Sequence, residues 1–250
     1  MPATPDDPHR PTSAPTRIGR RIIDPLAVPV AGTDAHLPAL GADRLGEPAL
    51  RARFDAQRQG AVWTPEFSGD GRFIVQGAPS PAAVLVPLVR RDAGLSVMLT
   101  RRTAHLRDHA GQISFPGGRS EPADGSPIAT ALRETEEEVG LERRHIEVVG
   151  QLPHYLTITG YDVTPVVALV STPFALHPDG SEVAEVFEVP LTFLMTPAHH
   201  QRHEFTWEGG PRRFLSMPWH GRGEDGRERE YFIWGATAAM LRNLYGFLAA

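Results

Sequence analysis

The segment Pro127-Ile128-Ala129-Thr130-Ala131-Leu132-Arg133-Glu134-Thr135-Glu136-Glu137-Glu138-Val139-Gly140 decides how the rest of the chain is read. It predicts a helix from about Pro127 to Val139. Proline suits a first helical turn, where its missing N–H is not needed, and glycine suits the left-handed position that closes a helix. Ala129, Ala131, Leu132 and Val139 give the helix an apolar side to bury. The other side concentrates charge, with four glutamates in the five positions 134–138. On a bare helix such carboxylates repel one another. Residues three and four apart share a face, so Glu134, Glu137 and Glu138 converge while Glu136 points elsewhere. Three converging carboxylates make a hard oxygen site, suited to Mg2+ or Mn2+ rather than to softer metals. A solvated acidic face is the plain alternative, and the buried side of the helix weighs against it.

The loop before this helix, Gly111-Gln112-Ile113-Ser114-Phe115-Pro116-Gly117-Gly118, weighs the same way. Its glycines allow positive φ and close backbone approach. Backbone amides ahead of a helix favour an anion, here a phosphate opposite the metal.

Outward from this centre the chain alternates strands and helices. Residues 82–89 are a nearly continuous apolar run and 95–101 alternate, with Asp92-Ala93-Gly94 as a hairpin turn between them. Further strands are expected at 146–152, 163–170 and 187–189, and antiparallel pieces at 205–207, 213–217 and 229–234. Residues 236–248 read as a closing helix with Met240, Leu241, Leu244 and Leu248 on one stripe. Residues 49–59 are a shorter helix candidate carrying Leu50, Phe54 and Ala56. Strands on both sides of a central helix predict an α/β sandwich. The expected division is a Pro-rich, disordered leader over 1–48, a helical or irregular extension over 49–80, and the main domain over 81–250.

Composition narrows the chemistry. The chain has 250 residues, a charge of -5 and no cysteine, and all 25 of its basic Lys+Arg positions are arginine. That excludes thiolate chemistry, cysteine-held zinc, a lysine Schiff base and a P-loop lysine. The mild negative charge gives no general attraction to nucleic acid or anionic membranes. No apolar run reaches the ~20 residues a spanning helix needs, and residues 1–15 lack the apolar core of a secretory signal. Asp6, Asp7 and Asp24 argue against reading Arg17, Arg20 and Arg21 as a transit sequence. The expectation is a cytoplasmic protein acting on a small molecule, with a homodimer left open. His199, His200 and His203 suggest a metal tract, but without cysteine or a fourth ligand pattern they read as a polar loop.

The stretch from Gly118 to Leu141 resembles the Nudix box, G-x5-E-x7-R-E-U-x-E-E-x-G-U with U aliphatic. Arg133-Glu134, Glu137-Glu138, Gly140 and Leu141 match its second half. Asp124 stands where the first glutamate is expected, one extra residue separates it from Arg133, and Thr135 replaces an aliphatic residue. The upstream segment is similar to a second motif, L-T-x-R-x3-L-R-x3-G-Q-x2-F-P-G-G, of the coenzyme A pyrophosphatase branch of that family. Here it reads Leu99-Thr100, Arg102, Leu106-Arg107, Gly111-Gln112 and Phe115-Pro116-Gly117-Gly118. The segments 156–167 and 182–191, and Trp234-Gly235, also look like that branch.

The resemblance implies a Nudix-type α/β/α sandwich with a mixed central sheet. It implies Mg2+- or Mn2+-dependent hydrolysis of coenzyme A or acyl-CoA to 3',5'-ADP and (acyl-)4'-phosphopantetheine. Glu134, Glu137 and Glu138 are then expected to hold the metal, and Arg133 to orient a glutamate. The catalytic base falls to Glu137 within the box or to a later loop, where Glu185 is favoured over Glu182. Arg102, Arg107, Gln112, Gly117 and Gly118 are expected to bind substrate. His109 is a further candidate, and Tyr161 and Phe115 are aromatic surfaces for adenine or pantetheine. Two alternatives stay open. One is a Nudix pyrophosphatase for another nucleoside diphosphate derivative. The other is a non-catalytic ligand-binding regulator, which would be expected to lose the metal glutamates.

Overall fold

The computed structural model describes residues 24–70, 78–104, 111–207, 210–223 and 225–250. In chain order the main elements are β1 (Val30–Thr33), α1 (Ala42–Leu45), α2 (Glu47–Arg58), β2 (Ser80–Arg91), β3 (Gly94–Arg102), β4 (Ile113–Ser114), β5 (Gly117–Arg119) and α3 (Pro127–Val139). They continue as β6 (Ile146–Gln151), β7 (Tyr155–Leu156), β8 (Tyr161–Val170), β9 (Val183–Pro190), α4 (Leu191–Leu194), β10 (Gln201–Trp207), β11 (Gly210–Arg222), β12 (Glu228–Trp234) and α5 (Gly235–Ala249). The expected leader residues 1–23 and the motif residues Leu106, Arg107 and His109 lie outside the described residues.

The central sheet is mixed. β2 and β8 run parallel over ten residue pairs, from Ser80↔Tyr161 to Val89↔Val170. β3, β5, β6, β7 and β9 join by antiparallel pairing. Both faces of β2 and β8 are covered, which is why their sequences read as unbroken apolar runs. Ala83, Leu85, Val166 and Ala168 pack with Ala131 of α3 on one face. Val86, Leu88, Val167 and Leu169 face the larger cluster that contains α2 and α5. The α/β/α sandwich with a mixed sheet expected from sequence is thus the architecture found. Between β3 and β9 the register slips: Arg101 pairs with Glu185, but Arg102 pairs with Val183. Such a bulge bends the strand and re-aims its side chains.

A second, all-antiparallel sheet, ordered β1-β10-β11-β12, covers the C-terminal helix. Leu215, Met217, Tyr231 and Ile233 from its inner face join the core. α5 is buried nearly all round, including Arg242 and Asn243, which suits a helix apolar on every side. Its last carbonyls are capped by arginines from the N-terminal region: Arg44 Nη1 donates to Ala249 O at 2.6 Å, and Arg53 Nε to Phe247 O at 2.7 Å. Cations at a helix C-terminus satisfy both its free carbonyls and its dipole.

That contact corrects the expected leader and extension. From Asp24 onward the described chain belongs to the same body as the main domain. β1 pairs with β10, and Asp34 is fully buried against Arg202 and Arg242. Leu50 and Phe54 of α2 lie in the main core at 1% exposure. Composition suggested disorder here because few apolar residues are local; the burial partners come from the other end of the chain. The three histidines are structural pins rather than ligands: His199 meets Phe193 O, His200 meets Leu194 O, and His203 meets both Val28 O and Ser216 Oγ. No helix among the described residues is long and apolar enough to cross a membrane.

Candidate active site

Helix α3 begins and ends as its sequence prescribes. Ser126 Oγ accepts from Ala129 N, Pro127 occupies the first turn, and Gly140 closes the helix at φ 69° with its N–H on Glu136 O. A Cβ at Gly140 would come within 2.8 Å of His177, so position 140 is also sterically closed to larger residues. The buried stripe is Thr130, Ala131, Thr135, Glu138 and Val139. Thr135, in place of an aliphatic residue, returns its hydroxyl to Ala131 O at 2.6 Å and so is buried without an unpaired polar atom.

The three expected metal glutamates occupy distinct environments. Glu138 is buried, accepts from Gly117 N at 3.0 Å through Oε2, and faces Arg102 Nη1 at 3.5 Å through Oε1. Burial pushes its carboxyl up to about 7, against the opposing pull of the Gly117 amide and Arg102. Glu134 is half-buried against Gly118, where a Cβ would lie 2.5 Å from its Oε2, and burial raises its pKa too. Glu137 is 59% exposed at its side chain and takes Arg133 Nη1 at 2.9 Å. The same Nη1 lies 2.9 Å from Glu134 Oε1. As they stand, these carboxylates are drawn to Arg133, Gly117 and Arg102, and among the described residues no three acidic or histidine side chains form a ready metal cluster.

Arg133 is itself held by Asp124 through a two-pronged pair, Nε to Oδ1 at 2.8 Å and Nη2 to Oδ2 at 2.9 Å. Asp124 also accepts from Thr130 Oγ1 and from Glu121 N, both at 2.8 Å. Arg133, with these two donors, holds its carboxyl far below the usual carboxylate range. Despite the extra residue before α3, Asp124 therefore reaches the helix arginine rather than the carboxylate face. Asp124→Asn should leave the Thr130 contact but release the charge that fixes Arg133. The expected result is a fall in kcat of about 10- to 100-fold, typical of removing a group that orients ligands, with an unchanged circular dichroism spectrum. A variant as active as wild type would show that Arg133 needs no such anchor.

Gly117, at φ 152°, sits in a conformation few side chains adopt, and a Cβ there would fall 2.4 Å from Ala83 O. Gly117 is thus required by close backbone packing against β2, whereas a Cβ at Gly118 would meet the Glu134 carboxylate. Arg102 ends β3, with its N–H on Gln112 O at 2.9 Å, so the two sides of the upstream motif are tied together. Phe115 is a core residue, whereas Tyr161 is 38% exposed.

The two base candidates separate. After α3 the chain folds back on the helix end: His177 N donates to Val139 O and Asp179 N to Glu138 O, each at 2.9 Å. Asp179 Oδ1 then accepts from Ser181 N, and Asp179 O from Glu182 N. This turn brings Glu182 to 3.7 Å from Arg102 Nη2, beside Glu134 and Glu138, with half its side chain exposed. Glu185 goes elsewhere. It is 5% exposed on the opposite face of β9, where Tyr231 Oη, Arg101 and Arg229 surround it. Two arginines and a phenol occupy three of the roughly four acceptor sites of this carboxylate, which leaves Glu182 the more open of the two.

Residues 79–207 match the NUDIX domain. Proteins described as "Uncharacterized Nudix hydrolase NudL" from Escherichia fergusonii and from Escherichia coli (strain K12) are each 40% identical over 163 residues, 65% of this chain and 80% of theirs. Among solved structures, a Nudix hydrolase from M. smegmatis, RenU, aligns over 45% of this chain and 71% of its own at 24% identity and a TM-score of 0.39. The chain belongs to the NUDIX domain family, whose hydrolases act on nucleoside diphosphate derivatives.

Proposed function

We propose that this protein hydrolyses the diphosphate bond of coenzyme A or an acyl-CoA, giving 3',5'-ADP and (acyl-)4'-phosphopantetheine. The observation that carries the reading is the meeting of two motifs on one carboxylate. Glu138 belongs to the box helix, and its partners Gly117 and Arg102 belong to the upstream segment that resembles the coenzyme A branch.

The donor set fits Mg2+ or Mn2+. Glu134, Glu137 and Glu138 offer hard oxygens, and the buried charge of Glu138 is under-compensated, a cost that a divalent cation relieves. A divalent cation held by these residues would supply neutralising charge to the diphosphate and would make a nearby water easier to deprotonate. Arg133 acts as a positioning residue, fixing Glu134 and Glu137 through one Nη1. Arg102 and the backbone of Gly117 and Gly118 face the diphosphate, with Gln112 from the same motif on the substrate side. Glu182 takes the proton of the attacking water. The water oxygen bonds to one phosphorus as the bridging P–O bond on that phosphorus breaks, and the other phosphate leaves with the bridging oxygen.

A substrate panel with Mg2+ and with Mn2+ tests this: coenzyme A, dephospho-coenzyme A, ADP-ribose and NADH. Coenzyme A is expected to show a kcat/KM at least about tenfold above ADP-ribose and NADH, and chelation should stop all turnover. Preference for ADP-ribose would sink the coenzyme A reading and leave the hydrolase intact.

A further inference from the structure

The side chains around Glu185 take no part in the chemistry above, yet they are built with care. The Tyr231 ring stacks on Phe187 with centroids 3.9 Å apart, and its hydroxyl donates to Glu185 Oε1 at 2.9 Å. Glu185 Oε2 lies 2.9 Å from Arg101 Nη2 and 3.1 Å from Arg229 Nη1. The turn between β11 and β12 closes over them: a Cβ at Gly223 would sit 2.5 Å from Glu185 Oε1 and 2.8 Å from the Arg229 guanidinium carbon.

Two guanidinium groups therefore share one buried carboxylate. Among the described residues a second acid, Asp225, meets Arg229 Nη2 at 2.6 Å from the exposed turn, where solvent screens it. Arg101 commits only Nη2 to Glu185, its Nε is buried with no partner among the described residues, and its side chain as a whole remains 37% exposed. Arg229 is shared between Glu185 and Asp225, whereas Arg101 meets Glu185 alone and through a single nitrogen. Its spare donors point to an anion, and the planar guanidinium matches phosphate oxygens. The neighbouring Arg102 stands beside Glu138 on the other face, so the end of β3 presents one cation to the carboxylate helix and one to β12.

We propose that Arg101 and Arg229, held in place by Glu185 and Tyr231, bind a phosphomonoester of the substrate distinct from the diphosphate that is cleaved. The choice of ligand rests on the coenzyme A reading, in which that group is the 3'-phosphate. Arg229 lies beyond residues 79–207, so substrate selection would be contributed by a strand outside the matched domain.

Calorimetric titration of the full chain with adenosine 3',5'-bisphosphate and with adenosine 5'-monophosphate tests the site without needing turnover. Wild type is expected to prefer the bisphosphate about tenfold, the scale of one charge-assisted contact. In Arg229→Gln and in Arg101→Gln the ratio should fall towards one, and Arg229→Lys should recover part of it. Arg101→Gln, at the more exposed position, covers a loss of folding in the first variant. A wild-type ratio near one overturns the proposal, as does a ratio that survives both Gln substitutions because the two affinities fall in parallel. A protein that prefers the bisphosphate but leaves coenzyme A uncut sinks the coenzyme A reading alone. One that cuts coenzyme A yet shows no preference sinks this proposal alone.

Discussion

Glu138→Gln should lower kcat by about a thousandfold, the scale on which a lost electrostatic contact to the reacting group is felt, while leaving the metal-free protein at least as stable as wild type. The two halves have one cause. Glu138 is buried, and its carboxyl is pushed from 4.5 up to about 7. Because the folded state binds the proton more tightly than the unfolded chain, wild-type stability falls as pH rises through that window. Above pH 7 the full penalty is present, on the order of 3 kcal/mol for such a shift; below about 4.5 it is absent. Glutamine has the same shape and can still accept the Gly117 N–H, but it carries no charge to desolvate. Thermal melts in EDTA at pH 8 should therefore place the variant at or above wild type, and at pH 4 the two should converge. Full activity in the variant would refute the metal assignment. A melt well below wild type at pH 8 would refute the burial argument.

Phe54→Ala should destabilise the protein by about 3–5 kcal/mol, the usual cost of emptying an aromatic site in a core. Phe54 is 1% exposed, its ring lies 4.6 Å from that of Phe247, and it fills the space that a Cβ at Gly150 would enter, 2.1 Å from its Cδ1. Helix α2 thus packs between β6 and α5, although it precedes the matched residues 79–207. Urea unfolding followed by circular dichroism should show a lower midpoint at an unchanged slope. A cost below about 1 kcal/mol, the range of surface substitutions and mild repacking, would mean that α2 is peripheral after all.

What the sequence made legible followed physical locality. Helix α3 carries its own start, stop and apolar side, so its limits were readable from Pro127 to Val139. The buried strands β2 and β8 announced themselves as apolar runs because both their faces are covered. β5 is Gly-Gly-Arg, with too few side chains to show a pattern; its place is set by the close approach of Gly117 to β2. Asp124 was uncertain because its reach to Arg133 depends on how the preceding turn folds. The different surroundings of Glu182 and Glu185 have the same root, since the face a strand residue occupies depends on pairing with a distant partner.

The register slip between β3 and β9 has a consequence for how this segment can vary. Strand side chains alternate, so a shift of one residue exchanges every side chain between faces. Deleting or inserting a single residue near Ala184 would turn Glu185 away from Tyr231 and disturb which arginine, 101 or 102, each layer receives. Substitutions in β9 that keep its length preserve the division of labour at the strand end; changes of length do not. The spacing of this strand should therefore be more tightly restrained over evolutionary time than the identity of most residues within it.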